Sequence, residues 1–131
     1  MNITTKRATE WTADLSMRLS LAAVHASIDD LKIQFDSGAP TFWVQVDGLT
    51  VGAYMLRFDQ LTSGQLEGVV VAGQGMHADI QLFDLVMPTI EQQCRERGCK
   101  TLRVHTSRPG VAKKLQRHGF ELAEVVTTKK L

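Results

Sequence analysis

The residues best suited to hold an anion lie in one stretch, Gln65 to Gly98. Leu66 to Ala72 is a short apolar run rich in β-branched residues, the composition of a strand covered on both faces. Gly73 and Gly75 then mark a turn, and apolar residues recur at helical spacing through Ile80, Phe83, Met87, Ile90 and Cys94. A strand that passes through glycines into a helix start gathers unpaired backbone N–H groups at one point, which is where a phosphate can sit. His77 lies in that turn and can donate to the same anion, although solvation is the simpler account of it. Asp79 near the start of the helix, and Arg95 and Arg97 near its end, each suit the helix dipole, and Gly98 stops it. A second set of cations, Arg108, Lys113, Lys114 and Arg117, surrounds the last helix expected in the chain.

At 131 residues, 44% hydrophobic and 22% charged, the chain has the material for one domain over 1–131 with a real core. The net charge of +1 gives no general attraction to nucleic acid or membrane. The charge is divided, however. Up to Cys94 five Lys/Arg stand against eleven Asp/Glu, a balance of −6, and from Arg95 on ten stand against three, a balance of +7. The basic part has no aromatic residues interleaved with its cations, which argues against nucleic acid as a partner. Cys94 and Cys99 lack metal-type Cys-x-x-Cys spacing, so no metal site is expected and both read as reduced core residues. The polar start MNITTKRATEW is no signal peptide and no apolar run reaches membrane-spanning length, so a cytoplasmic location is expected.

The elements that would position these residues follow from local pattern. Ile3–Ala8 reads as a strand, and Thr12 caps a helix through about His25, with Leu15, Leu19, Ala22 and Ala26 on one face. Ser27 with Asp30 resembles a capping box for a short helix carrying Ile28, Leu31 and Phe35, ended by Gly38 and Pro40. Thr41–Val46 and Leu49–Phe58 flank Asp47-Gly48, a hairpin turn pair, and Thr62-Ser63-Gly64 leads on to the strand at Leu66. After Gly98 come a strand over Thr101–Thr106, a helix from Ser107-Arg108-Pro109-Gly110 with Val111, Ala112 and Leu115 on its apolar face, and a final strand over Phe120–Thr128. Pro88 removes a donor inside the central helix and predicts a kink there. The fold class expected is α/β in the mixed-sheet, α+β sense: strand, two helices, three strands, helix, strand, helix, strand. Its parallel pair should splay where the central helix begins and leave a cleft.

That order, ending in GCKTLRVHTSRPGVAKKLQRHGFELAEVV, resembles the GNAT family, the Gcn5-related N-acetyltransferases. The match lies in Gly-Cys before the fifth strand, the Ala-x-x-Leu helix and Gly-Phe-Glu opening the last strand. Pro88 in LVMPTIE, and the Thr-x-Arg-x-Gly loop after the fifth strand, are also similar to small phage- or prophage-encoded members of that family. The resemblance implies acetyl transfer from acetyl-CoA, as co-substrate, to an amine on a small molecule or protein. It places the pantetheine arm along Glu67–Ala72, with Val69, Val70 and Val71 as its contacts. It places the pyrophosphate on the loop that follows, at Gln74, Gly75, Met76, His77 and Ala78. Arg108 and Lys113 would meet the 3′-phosphate, and Glu67, on the fourth strand, would be the general base, acting directly or through water. The plainer reading of Glu67 is a strand carboxylate paired with an arginine.

The chain departs from the family pattern in two places. The usual loop, Arg/Gln-x-x-Gly-x-Gly/Ala, is met in part by Gln74-Gly75-Met76-His77-Ala78-Asp79, where Asp79 adds an anion. The position of the frequent general-acid tyrosine holds Leu115, which donates no proton. These departures leave an alternative, a catalytically inactive GNAT-fold binding or virion-associated protein. A homodimer is compatible with either reading. Among the remaining residues, Trp11, Trp43 and Tyr54 read as core or sheet-face aromatics, with Trp43 and Tyr54 also able to border an acceptor groove. His105 shares a face with Arg103, and His25 and His118 sit where a cation suits a helix end.

Overall fold

Five strands lie side by side in chain order, with helices on both faces. The computed structural model describes residues 2–20, 27–74, 80–105, 109–123 and 126–131. The elements are β1 (Ile3–Arg7), α1 (Ala13–Ser20), α2 (Ile28–Asp36), β2 (Thr41–Val46), β3 (Leu49–Gln60), β4 (Leu66–Gln74), α3 (Ile80–Glu96), β5 (Cys99–Val104) and α4 (Pro109–Arg117). Strands β1 to β4 pair antiparallel, as short connections dictate, and β4 pairs parallel with β5 through the α3 crossover.

Local signals explain most boundaries. Thr12 Oγ1 accepts from the Leu15 N–H at 3.2 Å and starts α1. Ser27 and Asp30 form both halves of a capping box at α2, Asp30 N–H to Ser27 Oγ at 3.2 Å and Ser27 N–H to an Asp30 oxygen at 3.3 Å. Asp47 and Gly48 turn the β2–β3 hairpin with φ of 50° and 84°, the left-handed region a type I′ turn requires. The α3 helix runs unbroken through Pro88. Of the helix expected from Thr12 to His25, the structure describes Ala13–Ser20, and His25 lies outside the described residues.

The sheet divides two cores. On one face Leu15, Leu19 and Leu31 from α1 and α2 pack on Ala53, Met55 and Ala72. On the other, Val86, Met87, Ile90 and Cys94 of α3 and Leu115 of α4 pack on Val44, Tyr54, Leu56 and Val70. Gly68 allows the closest approach of α3: a Cβ there would meet Cys94 Sγ at 2.5 Å. Among the described residues no helix is long and apolar enough to cross a membrane.

The final strand expected over Phe120–Thr128 is not formed: none of its described residues is in a strand, and among the described residues β5 pairs with β4 alone. Phe120 is held to the core, its N–H bonded to the Leu115 carbonyl at 3.2 Å. Beyond it Leu122 and Val126 are exposed. Strand propensity in Val126-Thr127-Thr128 is a weak preference, and with no apolar face buried it does not offset the entropy of ordering.

Candidate functional site

The parallel pairing of β4 with β5 runs from Leu66–Cys99 to Val70–Val104 and stops, while β4 continues to Gln74. On its other side β4 stays paired with β3, but not in simple register. Met55 faces Ala72 and Leu56 faces Val70, so Val71 is an extra residue, a β-bulge. A bulge bends its strand and raises its twist. Here it falls at the point where β5 ends, so β4 from Val71 onward has backbone groups on its β5 side with no strand partner among the described residues. Val69 and Val70 are buried in the paired part, and Val71 is half-buried at the bulge. Gln74 is the last residue of β4. Gly75, Met76, His77 and Ala78, expected at the pyrophosphate, and Asp79 and Arg108 lie outside the described residues.

Before this point, in the paired part of the sheet, a charged network lies across β3, β4 and β5, on the face that α1 and α2 cover further along. Asp59 stands opposite Glu67, and Glu67 opposite Thr101. Arg57 grips Asp59 with two bonds, Nε to Oδ1 at 2.7 Å and an Nη to Oδ2 at 2.9 Å. Arg103 reaches both carboxylates, 3.4 Å from Asp59 and 3.2 Å from Glu67. Thr101 donates to the second Glu67 oxygen at 2.9 Å. The hydrogen bonds from Arg57 hold the Asp59 carboxyl below its ordinary range, against the opposing effect of burial, with the charges of Arg57, Arg103 and a protonated His105 adding to the lowering. Glu67, with its side chain 15% exposed, is therefore a paired strand carboxylate, three residues before the last pair of the β4–β5 ladder. Two oxygens offer about four acceptor positions, so a further donor can still be accommodated.

Other residues singled out from the sequence lie elsewhere. Lys113 is exposed on α4. Leu115 is buried in the core. Tyr54 is wholly buried, donates to Gln93 Oε1 at 2.7 Å, and is held far above its ordinary pKa by burial; it borders no groove and serves as a core residue. His118 contacts Asp84 of α3 at 2.7 Å and so ties α4 to α3 through its side chain. Nothing in the sequence singles out Arg57, Asp59 and Thr101, or joins Arg103 to Glu67, because their meeting depends on register between strands far apart in the chain.

No protein-family model matches the sequence, and no curated protein is similar to it in sequence. Solved structures are similar in fold. An acetyltransferase from Trypanosoma brucei superposes with a TM-score of 0.67 at 19% identity, over 99% of this chain and 100% of the other. A GNAT family acetyltransferase from Elizabethkingia anophelis, solved with acetyl-CoA bound, superposes with a TM-score of 0.70 at 20% identity, over 94% of this chain and 78% of the other. The fold is that of the GNAT acetyltransferases. A transcriptional regulator from Bacillus halodurans is also similar, with a TM-score of 0.69 at 15% identity, over 99% of this chain and 100% of that one. The shared GNAT fold therefore carries more than one described role, and the residues have to decide between them.

Proposed function

We propose that the chain transfers an acetyl group from acetyl-CoA to an amine. The observation that carries this reading is the end of the β4–β5 ladder at Val70–Val104 with β4 continuing past it. A chain of amides such as pantetheine can pair with that free edge as an added strand, giving main-chain bonds without any special side chain. Val69, Val70, Val71 and Gln74 would flank it, the loop 75–78 would take the pyrophosphate, and Arg108 and Lys113 the 3′-phosphate. The acceptor nitrogen attacks the thioester carbonyl, the C–S bond breaks, and the thiolate leaves to take up one proton. The amine loses one proton in return, and Glu67 on β4 is the carboxylate proposed to receive it, directly or through water.

The likeness to a structure holding acetyl-CoA supports the co-substrate, and a small-molecule or protein amine is the acceptor class proposed with it. Free cysteines at Cys94 and Cys99 support a reducing, cytoplasmic location. The test combines calorimetric titration with acetyl-CoA and thiol release over a panel of amines. Saturable binding with amine-dependent release is expected; no binding at millimolar acetyl-CoA overturns the proposal.

One set of contacts favours a second reading, a GNAT-fold binding or virion-associated protein without turnover. Glu67 is already engaged by Arg103 and Thr101, and Leu115 is buried where a general acid would stand. Acetyl-CoA binding with no release from any amine would select this reading.

A further inference from the structure

A cleft of about 340 Å³ opens on the α1–α2 face at the opposite edge of the sheet, lined by residues of β1, the β1–α1 connection, α1, β2 and β3, with Lys6, Arg7, Glu10 and Asp14 as its charged residues. Its wall is Trp43, half-buried, which packs on the α1–α2 core and also borders the cleft. Lys6 stands directly opposite Trp43 in the β1–β2 register. Glu10 lines the cleft from the connection, and Gln45, two residues along β2, supplies an amide donor and acceptor on the same face.

Lys6 and Glu10 are exposed and of opposite charge. Neither forms an ion pair with any described residue, whereas Asp14, which also lines the cleft, is matched by Arg18. A cleft lined by cations and anions beside an indole is complementary to a ligand carrying both charges and an apolar part. Ligand pockets run from about 300 to 1,000 Å³, so this one suits a molecule of amino-acid size. We infer that it binds a free α-amino acid, the carboxylate at Lys6, the ammonium at Glu10 and the side chain along Trp43.

The site is separate from the one proposed for acyl transfer and independent of that reading. Trp43 faces Ala53, which faces Gln74, so β3 stands between it and β4, about 10 Å across two strand spacings. The free edge of β4 is on the far side again, toward β5.

Trp11→Phe leaves Trp43 as the one remaining tryptophan of the two in the chain. Its fluorescence is titrated with L-phenylalanine, L-leucine and L-lysine, and with phenethylamine and 3-phenylpropionate, which each lack one of the charges. At least one amino acid should give a saturable change, with a Kd on the order of 1 mM. For L-phenylalanine, each single-charge analogue should bind about tenfold more weakly, and Lys6→Met and Glu10→Gln should each weaken binding by about tenfold with unchanged circular dichroism. In the wild-type chain the Trp43 indole N–H resonance gives the same reading, should Trp11→Phe not fold. No saturable change with any amino acid at about 20 mM overturns the inference. Unaltered affinity in both charge variants overturns it equally.

Discussion

Val70 and Val104 are the last residues to face each other across β4 and β5, and the next residue of β4, Val71, is a bulge against β3. The two irregularities coincide: one strand ends where its neighbour bends. Together they leave β4 beyond Val70 with a backbone edge that has no strand partner on its β5 side among the described residues, while the Asp59–Arg103–Glu67 network lies in the paired part before it. The acyl-transfer reading rests on that coincidence.

Glu67 is the residue whose role divides the two readings. Glu67→Gln keeps its shape and its contact with Thr101. If Glu67 receives the amine proton, thiol release should fall by about 10²-fold or more while acetyl-CoA affinity stays unchanged. Full turnover in the variant would leave Glu67 a structural partner of Arg103.

Asp59 makes folding sensitive to acid in a defined direction. Its carboxyl is depressed in the folded chain, chiefly by hydrogen bonds from Arg57, so the unfolded chain binds the proton more readily. The stabilisation is present above the unfolded carboxyl range, about pH 4, and is lost as pH falls through the lower folded value. Asp59→Asn should therefore be less stable than the wild type at pH 7, with the gap narrowing toward pH 3 in urea denaturation. A gap that does not change with pH would contradict the assignment.

Gly68 tests the packing of α3 on the sheet. With Cys94 Sγ at 2.5 Å and Cys94 Cβ at 3.3 Å from the position of an added Cβ, Gly68→Ala should cost about 1–3 kcal/mol by overpacking. Cys94→Ala removes the nearer contact, so the double variant should recover part of that loss, a coupling measurable in a double-mutant cycle.

Cys94 should be chemically silent in the folded chain. Burial pushes its thiol up to about 11, and it is 3% exposed, so almost none of it is thiolate at pH 8. Maleimide labelling at pH 8 should modify Cys94 only after unfolding. The raised value also means that its contribution to stability is complete below the unfolded thiol range, about pH 8.5, and is lost as pH rises toward 11.

Local chemistry was legible in the sequence where a few adjacent residues settle the backbone. Ser27 with Asp30, Asp47 with Gly48, and the positive-φ glycines Gly98 and Gly119 at helix ends all act as their types require. The core face of α3 was legible through Met87, Ile90 and Cys94. The bulge was not, because Val69, Val70 and Val71 are the same residue and nothing local marks the extra one. Nor was the network, since Asp59 and Arg103 are joined only through strand register. A strand over Phe120–Thr128 is expected from propensity alone, but pairing decides, and none of its described residues pairs.

Amide hydrogen exchange along β4, with and without acetyl-CoA, tests the central claim most directly. Leu66–Val70 is already flanked by strands on both sides, whereas Val71–Gln74 is paired on the β3 side only among the described residues. At about 1 mM acetyl-CoA, amides of Val71–Gln74 that face away from β3 should become protected, while Leu66–Val70 changes little. Exchange at Val71–Gln74 that is unaffected by acetyl-CoA would contradict the claim that this edge receives the coenzyme.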